Sequence, residues 1–329
     1  MADPIPPWPG AAVALGTGDV FVRTAPAPAG AEPALFVHGL GGSSRNWTDL
    51  MDLLSRPGGA AEPGLASRLP AGPVLSGEAI DLPGFGHSPV PRGGDYSVGA
   101  CADAVIALID RQGRWPVHLI GNSLGGAVCT RVAARRPDLV RSLTLISPAM
   151  PDLRPRLLPM RVAAMGLPGL GRWALARLEQ VPAEHRTARM ISEVYADPKC
   201  VHPLRVREET DEVTRRDSLG YQAEVLIGSA RALVTEYLRW GAGTLWRDAA
   251  RVTAPTLVIH GSHDRLVNPA TAARAARVLK TAYVVVLPRI GHVAMMERPD
   301  MVAKLIREFL ANAEPVHHPA AAPADRVSS

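Results

Sequence analysis

Short, largely apolar runs recur along the chain, at 35–38, 74–80, 117–120, 143–146, 256–260 and 283–287. Runs without polar alternation predict strands covered on both faces, the condition of a mostly parallel sheet. Between them, 98–111, 124–136, 270–279 and 301–311 carry apolar residues at helical spacing. Strands and helices therefore alternate. The fold class this predicts is α/β, a mostly parallel central sheet flanked by helices.

The alternation breaks between 148 and 247, where amphipathic helical segments are separated by proline and glycine and no convincing strand occurs. We expect an inserted helical cap over 148–247, which divides the core into 1–147 and 248–313. Extra helices packed outside the sheet would leave the same pattern, because sequence alone does not place the segment over a site. A stretch rich in glycine and proline, 56–64, predicts a surface loop. The tail 314–329, EPVHHPAAAPADRVSS, lacks apolar periodicity and is expected to be disordered. His317 and His318 are accordingly weak ligand candidates.

Composition narrows the function class. A chain of 329 residues, 47% of them hydrophobic, can bury a full core, which excludes disorder of the whole. The net charge of +5 is the difference between 36 basic and 31 acidic residues, with no long run of one sign. This describes a solvated surface, and no nucleic-acid partner is expected. Cys101, Cys129 and Cys200 lie far apart, so neither a disulfide framework nor a metal site is implied. The start, MADPIPPWPG, has no export-signal pattern, and no stretch reaches the roughly 18 apolar residues of a membrane span. The expected location is the cytoplasm, without integral membrane association; the oligomeric state stays open.

The strongest chemical signal is Gly121-Asn122-Ser123-Leu124-Gly125, a G-x-S-x-G between a predicted strand and a predicted helix. A sharp strand-to-helix turn holds such a serine in a strained conformation with its hydroxyl above the sheet, and flanking glycines remove side chains that would collide. The helix start and the Leu124 backbone N–H then point to where negative charge develops on a tetrahedral intermediate. A serine hydroxyl is a poor nucleophile at neutral pH and needs a base, which in turn needs an orienting acid. Two later strands end in Gly261-Ser262-His263-Asp264 and Pro288-Arg289-Ile290-Gly291-His292. Both place a polar residue at the carboxyl edge of the sheet, where sites form in open parallel sheets. His292 is the candidate base and Asp264 the candidate acid. Asp152, past Pro148 and Pro151, is the alternative acid.

Of the remaining histidines, His38 opens the loop His38-Gly39-Leu40-Gly41-Gly42 and is expected to hold it by hydrogen bonds to backbone. His118 within a strand reads as core or interface. Neither His87 nor His263 stands where the chemistry requires one. The bare backbone of the glycine loop can approach a substrate, and the Leu40 N–H is the candidate second oxyanion donor.

HGLGGSSRNW, DLPGFGHS, GNSLGG, GSHDRLVNP and GHVAMMERPD resemble successive motifs of the α/β-hydrolase superfamily and cover about 35–310. The resemblance implies Ser123, Asp264 and His292 as a catalytic triad and the N–H groups of Leu40 and Leu124 as an oxyanion hole. Capped relatives include carboxylesterases, monoacylglycerol lipases, carbon-carbon bond hydrolases and epoxide hydrolases. The last, like haloalkane dehalogenases, use an aspartate nucleophile where this chain has Ser123, and are disfavoured. An added loop before DLPGFGHS and a long proline-rich cap depart from the usual pattern, so pocket shape and substrate do not carry over.

The implied activity is cleavage of an ester-type bond through an acyl-enzyme, without metal or organic cofactor. Apolar cap residues, with Trp173, Tyr237 and Trp240, point to a small, largely apolar substrate, although packing of the cap onto the core would use the same residues. A carbon-carbon bond hydrolase and a cofactor-free perhydrolase or haloperoxidase would share the triad. A non-enzymatic ligand-binding protein on this fold is the alternative from another class.

Overall fold

The computed structural model describes residues 4–16, 18–57, 70, 72–152, 164–167, 169–239 and 244–313. The tail 314–329, most of the 56–64 loop and Trp240 lie outside these residues. The chain forms one eight-stranded sheet from β1 (Gly10–Leu15), β2 (Gly18–Thr24), β3 (Glu32–Val37), β4 (Leu75–Asp81), β5 (Val117–Asn122), β6 (Val140–Ile146), β7 (Thr256–Gly261) and β8 (Ala282–Leu287). Their spatial order is β1-β2-β4-β3-β5-β6-β7-β8. The six strands from β4 to β8 run parallel, and β1 and β2 add an antiparallel edge.

The six expected strands all form, each within a few residues of its apolar run. The β1–β2 hairpin is an addition. Its outer strand, GAAVAL, is exposed along most of its length, so no apolar run marks it. In β2 only Val20 and Val22 turn inward, an alternation too short to stand out.

Helices cover both faces. On one, α2 (Val98–Gln112) and α3 (Leu124–Arg135) pack against each other and the sheet. Ser97 starts α2 by accepting the Ala100 N–H at 3.1 Å, and Gly113, at φ 64°, ends it in the left-handed conformation that glycine adopts freely. On the other face lie α1 (Thr48–Ser55) and, near the end of the chain, the helix Pro299–Asn312.

Between β6 and β7 the described chain contains no strand. It forms α4 (Leu170–Glu179), α5 (Ala183–Val194), α6 (Pro203–Asp217) and α7 (Gln222–Leu238), followed by α8 (Leu245–Arg251). Leu245, Trp246 and Ala249 of α8 are buried with α3, so the chain rejoins the core before β7 begins. None of the described helices is long and apolar enough to cross a membrane.

The register aligns the strand ends that matter. Val37 pairs with Gly121, Asn122 with Ile146, Ile146 with Ile259, and Gly261 with Leu287. The loops after β3, β5, β7 and β8 therefore leave the sheet along one edge, and these loops hold Leu40, Ser123, Asp264 and His292.

Candidate active site

Ser123 joins a fully buried strand to a helix whose first ten residues are all buried. Its backbone is forced to φ 52°, ψ −117°. For a residue with a β-carbon this costs about 1–3 kcal/mol and persists only where the surroundings over-determine it. Here the Ser123 N–H donates to the Ile146 carbonyl at 3.1 Å, and the Ser123 carbonyl accepts from Ala127 at 3.1 Å and Ala149 at 2.9 Å. The glycines are steric necessities. A β-carbon on Gly125 would overlap the Val37 carbonyl oxygen, and one on Gly126 would meet the Pro148 ring at 2.8 Å.

His292 follows β8 and is buried. Its Nδ1 lies 2.8 Å from Asp264 Oδ2. The other carboxylate oxygen of Asp264 accepts the N–H groups of Leu266 at 2.8 Å and Val267 at 2.9 Å. Burial pushes the Asp264 carboxyl up, but the facing imidazole and the two amides outweigh it and hold the carboxyl below its ordinary range. An ionised Asp264 fixes the proton on Nδ1 and leaves Nε2 as the basic nitrogen. Asp152 instead receives the Asn268 side-chain amide at 2.7 Å. The structure thus brings Asp264, not Asp152, to the imidazole.

Two ties hold His292 in place. Its own N–H donates to the Val194 carbonyl at the end of α5, at 2.7 Å, and its carbonyl accepts from Asn122 Nδ2 at 3.2 Å. Asn122 Nδ2 also reaches the Ile146 carbonyl at 3.0 Å, so the residue before the serine links the β5, β6 and β8 ends. Glu297 accepts the Gly291 N–H at 2.8 Å and the Ala196 N–H at 3.1 Å.

In the glycine loop, His38 is fully buried, with Nδ1–H donating to the Gly39 carbonyl at 2.8 Å and Nε2 accepting the Leu82 N–H at 2.9 Å. Burial pushes its pKa down. Both nitrogens are committed to backbone, as expected of a loop-holding residue. Gly39 lies so close to the elbow that a β-carbon there would sit 3.0 Å from Ser123 Cβ. Among the described residues no hydrogen bond uses the amides of Leu40 or Leu124.

The other histidines take structural places. His118 bridges Ser142 Oγ at 2.8 Å and Glu32 at 2.7 Å, and His263 pairs with Ser262 Oγ at 2.9 Å. Sequence reasoning missed Asn122, Glu297 and Asp81. Buried Asp81 accepts the N–H groups of Ser44 at 2.6 Å and His87 at 2.8 Å, binding the loops after β3 and β4 together.

Ser123, His292, Leu40 and Gly41 line a cavity of about 1420 Å³. Its walls include Leu175, Met190, Ile191, Leu226, Leu233 and Tyr237 of the inserted helices. Trp173, expected among them, is 59% exposed and stacks with Arg177, 5.5 Å from its ring centroid. Among the described residues there is no cluster of three or more His, Cys, Asp or Glu side chains able to hold a metal.

The family defined by the α/β-hydrolase fold matches residues 33–299. Lipase 1 of Psychrobacter immobilis is 24% identical over 315 residues, which span 90% of this chain and 82% of the lipase. The 2-hydroxymuconate semialdehyde hydrolase of Pseudomonas putida is 27% identical over 245 residues, 73% of this chain and 78% of that enzyme. Among solved structures, a membrane phospholipase A described as a bacterial virulence factor superposes with a TM-score of 0.72 at 24% identity, covering 92% of this chain and 85% of that one.

Proposed function

This chain belongs to the α/β-hydrolase family and is a hydrolase, and on that premise we propose that it cleaves the ester bond of a largely apolar substrate through an acyl-enzyme on Ser123. The observation that carries this reading is the His292–Asp264 pair at 2.8 Å beside a strained serine elbow in one cavity. In the proposed cycle Ser123 Oγ attacks the ester carbonyl and its proton passes to His292. The oxyanion forms against the Leu40 and Leu124 N–H groups. It collapses as His292 protonates the departing alcohol, and the same histidine then activates water to release the acid. Helices α4–α7 act as a cap that supplies the apolar wall.

Charge around the cavity favours a neutral ester. Ten carboxylate side chains line it against five arginines, and Arg45, Arg186, Arg205 and Arg298 are each paired with a carboxylate of the protein. The fifth, Arg216, donates to the Gly41 carbonyl and lies 3.7 Å from Glu212, so among the described residues no spare cation is offered to an anionic substrate. This weighs against the carboxylate-bearing substrates named for some relatives, such as a 2-hydroxymuconate semialdehyde.

The test is a panel of neutral p-nitrophenyl esters beside carboxylate-bearing ring-cleavage products, with wild type and Ser123→Ala. The esters are expected to turn over faster, and Ser123→Ala to lower kcat on the order of 10⁶-fold with folding intact. Preference for the ring-cleavage products would overturn the substrate class, and a Ser123→Ala variant of normal activity would overturn the mechanism.

A further inference from the structure

The loop with the proposed Leu40 donor contains Gly39, Gly41 and Gly42, and so has few side chains by which to be held. Its orientation is set through its peptide groups. The Gly39 carbonyl accepts two donors, His38 Nδ1–H at 2.8 Å from the core side and the Gly42 N–H at 3.1 Å. That carbonyl and the Leu40 N–H are two ends of one peptide group, so whatever fixes the first aims the second. Likewise the Gly42 N–H shares its peptide group with the Gly41 carbonyl. Gly41 itself sits at φ 74°, where glycine is free to adopt alternatives.

The Gly41 carbonyl is held from outside the core. Arg216, near the end of α6 and 175 residues away in sequence, donates from Nη1 to it at 2.6 Å. The guanidinium is steadied by its own helix, with Nε 3.4 Å from the Glu212 carbonyl and 3.7 Å from Glu212 Oε1. A continuous line of donors and acceptors results, from the Arg216 cation through the Gly41–Gly42 peptide and the Gly39–Leu40 peptide to the Leu40 N–H. Each link polarises the next, and a cation at the head increases the donor strength at the far end.

We propose that Arg216 is a positioning residue of the inserted helices, which aims and strengthens the Leu40 oxyanion donor without touching the substrate's reacting atoms. The proposal rests on the serine-hydrolase reading above. It makes the docking of α6 a condition for full turnover, since the oxyanion loop is completed by a residue outside the core.

The neighbouring Arg215 provides an internal control. It makes a bond of the same kind, Nη2 to the Gly86 carbonyl at 2.6 Å, and pairs with Glu212 at 2.7 Å, but its acceptor lies in the loop after β4, not in the Leu40 peptide relay. Loss of a direct oxyanion donor costs about 10²–10³ in kcat. Loss of its orienting partner should cost less.

The experiment compares wild type, Arg216→Ala, Arg216→Lys and Arg215→Ala for kcat and KM on a p-nitrophenyl ester and for inhibition by an aryl trifluoromethyl ketone, which forms an oxyanion adduct. Arg216→Ala is expected to lower kcat about 10- to 100-fold with KM within about 3-fold, and to weaken the ketone by the same factor as kcat/KM. Arg216→Lys, which keeps the cation and one donor, should recover most of the loss, and Arg215→Ala should stay within about 3-fold of wild type. Fluorophosphonate labelling of wild-type Ser123 separates the two levels of the argument. If Ser123 is labelled and Arg216→Ala keeps normal kcat and ketone affinity, or Arg215→Ala loses as much, the positioning role fails alone. If wild-type Ser123 is neither labelled nor required, the serine mechanism fails and the positioning role with it.

Discussion

Helices α3 and α6 both send residues to the same site, and they are held there by opposite means. In α3 every residue from Leu124 to Ala133 is buried, and Leu124, Val128 and Val132 are each at most 1% exposed. Each such side chain contributes about 1.5–3 kcal/mol by leaving water. Helix α6 buries a single residue, Glu212, packs the half-buried Val206 against the core, and otherwise meets it through Arg205–Asp49 at 2.5 Å, Arg45–Glu212 at 3.6 Å and the carbonyl bonds of Arg215 and Arg216. The Arg205–Asp49 pair, with Asp49 partly exposed, contributes about 0–1 kcal/mol. The proposed nucleophile therefore stands on an apolar foundation, whereas the inserted helix meets the core mainly through polar contacts.

The sharpest break of this comparison is chemical. Removing the charge of Asp264 should disable the site without disturbing the apolar foundation, because the Asn side chain keeps the volume. Asp264→Asn is expected to lower kcat on the order of 10⁴-fold. Asp152→Asn, which alters a contact with Asn268 at the cavity wall, should cost less than about 10-fold. Steady-state kinetics on both variants, with circular dichroism to establish folding, decides it. A reversed ranking would move the acid to Asp152.

A second test concerns the exception on α3. Arg131 is buried and makes a bidentate contact with Glu236 of α7, at 2.7 and 3.0 Å, and a 2.9 Å bond to Asp248 of α8. Here a polar clasp replaces apolar packing. Arg131→Met should cost about 3 kcal/mol, toward the lower end for a broken buried pair, because among the described residues Glu236 keeps only Arg239 at 3.2 Å and Asp248 only the exposed Arg251 at 4.0 Å. Urea denaturation measures this. A loss below about 1 kcal/mol would mean that α7 is held by its apolar face alone.

Much of this was legible in the sequence, for a local reason. Each of the six parallel strands carries a short, largely apolar run, and Ser123, Asp264 and His292 each follow one of them at short range. What stayed hidden depends on partners distant in the chain. Asn122 meets His292 across 170 residues and Arg216 meets Gly41 across 175. Neither pairing leaves a local pattern, because an arginine in a solvated-looking helix gives no sign of which carbonyl it will reach. The exposed Trp173 failed in the other direction, since an apolar residue in an amphipathic helix need not face the cavity.

The smallest expected effect concerns acid. Burial lowers the His260 pKa to about 4, with Asp264 opposing and His292 assisting that shift. In the unfolded chain a histidine binds its proton near about 6.5, so the unfolded state takes up protons first as pH falls. The stability due to a neutral His260 is full above about pH 6.5 and is lost progressively down to about pH 4, by up to about 3 kcal/mol. Buried His38, also lowered, adds in the same direction. Asp264, held below its ordinary range, adds its loss only at still lower pH. Tm measured from pH 7.5 to 4.5 should fall for wild type and fall less for His260→Gln. A Tm that falls as steeply in His260→Gln as in wild type would contradict the role given to the buried, neutral His260.

The central claim, that Ser123 on its buried elbow is the nucleophile served by His292 and Asp264, is met most directly by covalent labelling. The wild-type protein is treated with a fluorophosphonate and the modified peptide identified by mass spectrometry. We expect one adduct per chain, at Ser123, with labelling slowed strongly in His292→Ala and absent in Ser123→Ala. Labelling at another serine, or an active preparation that takes no label, would contradict the account.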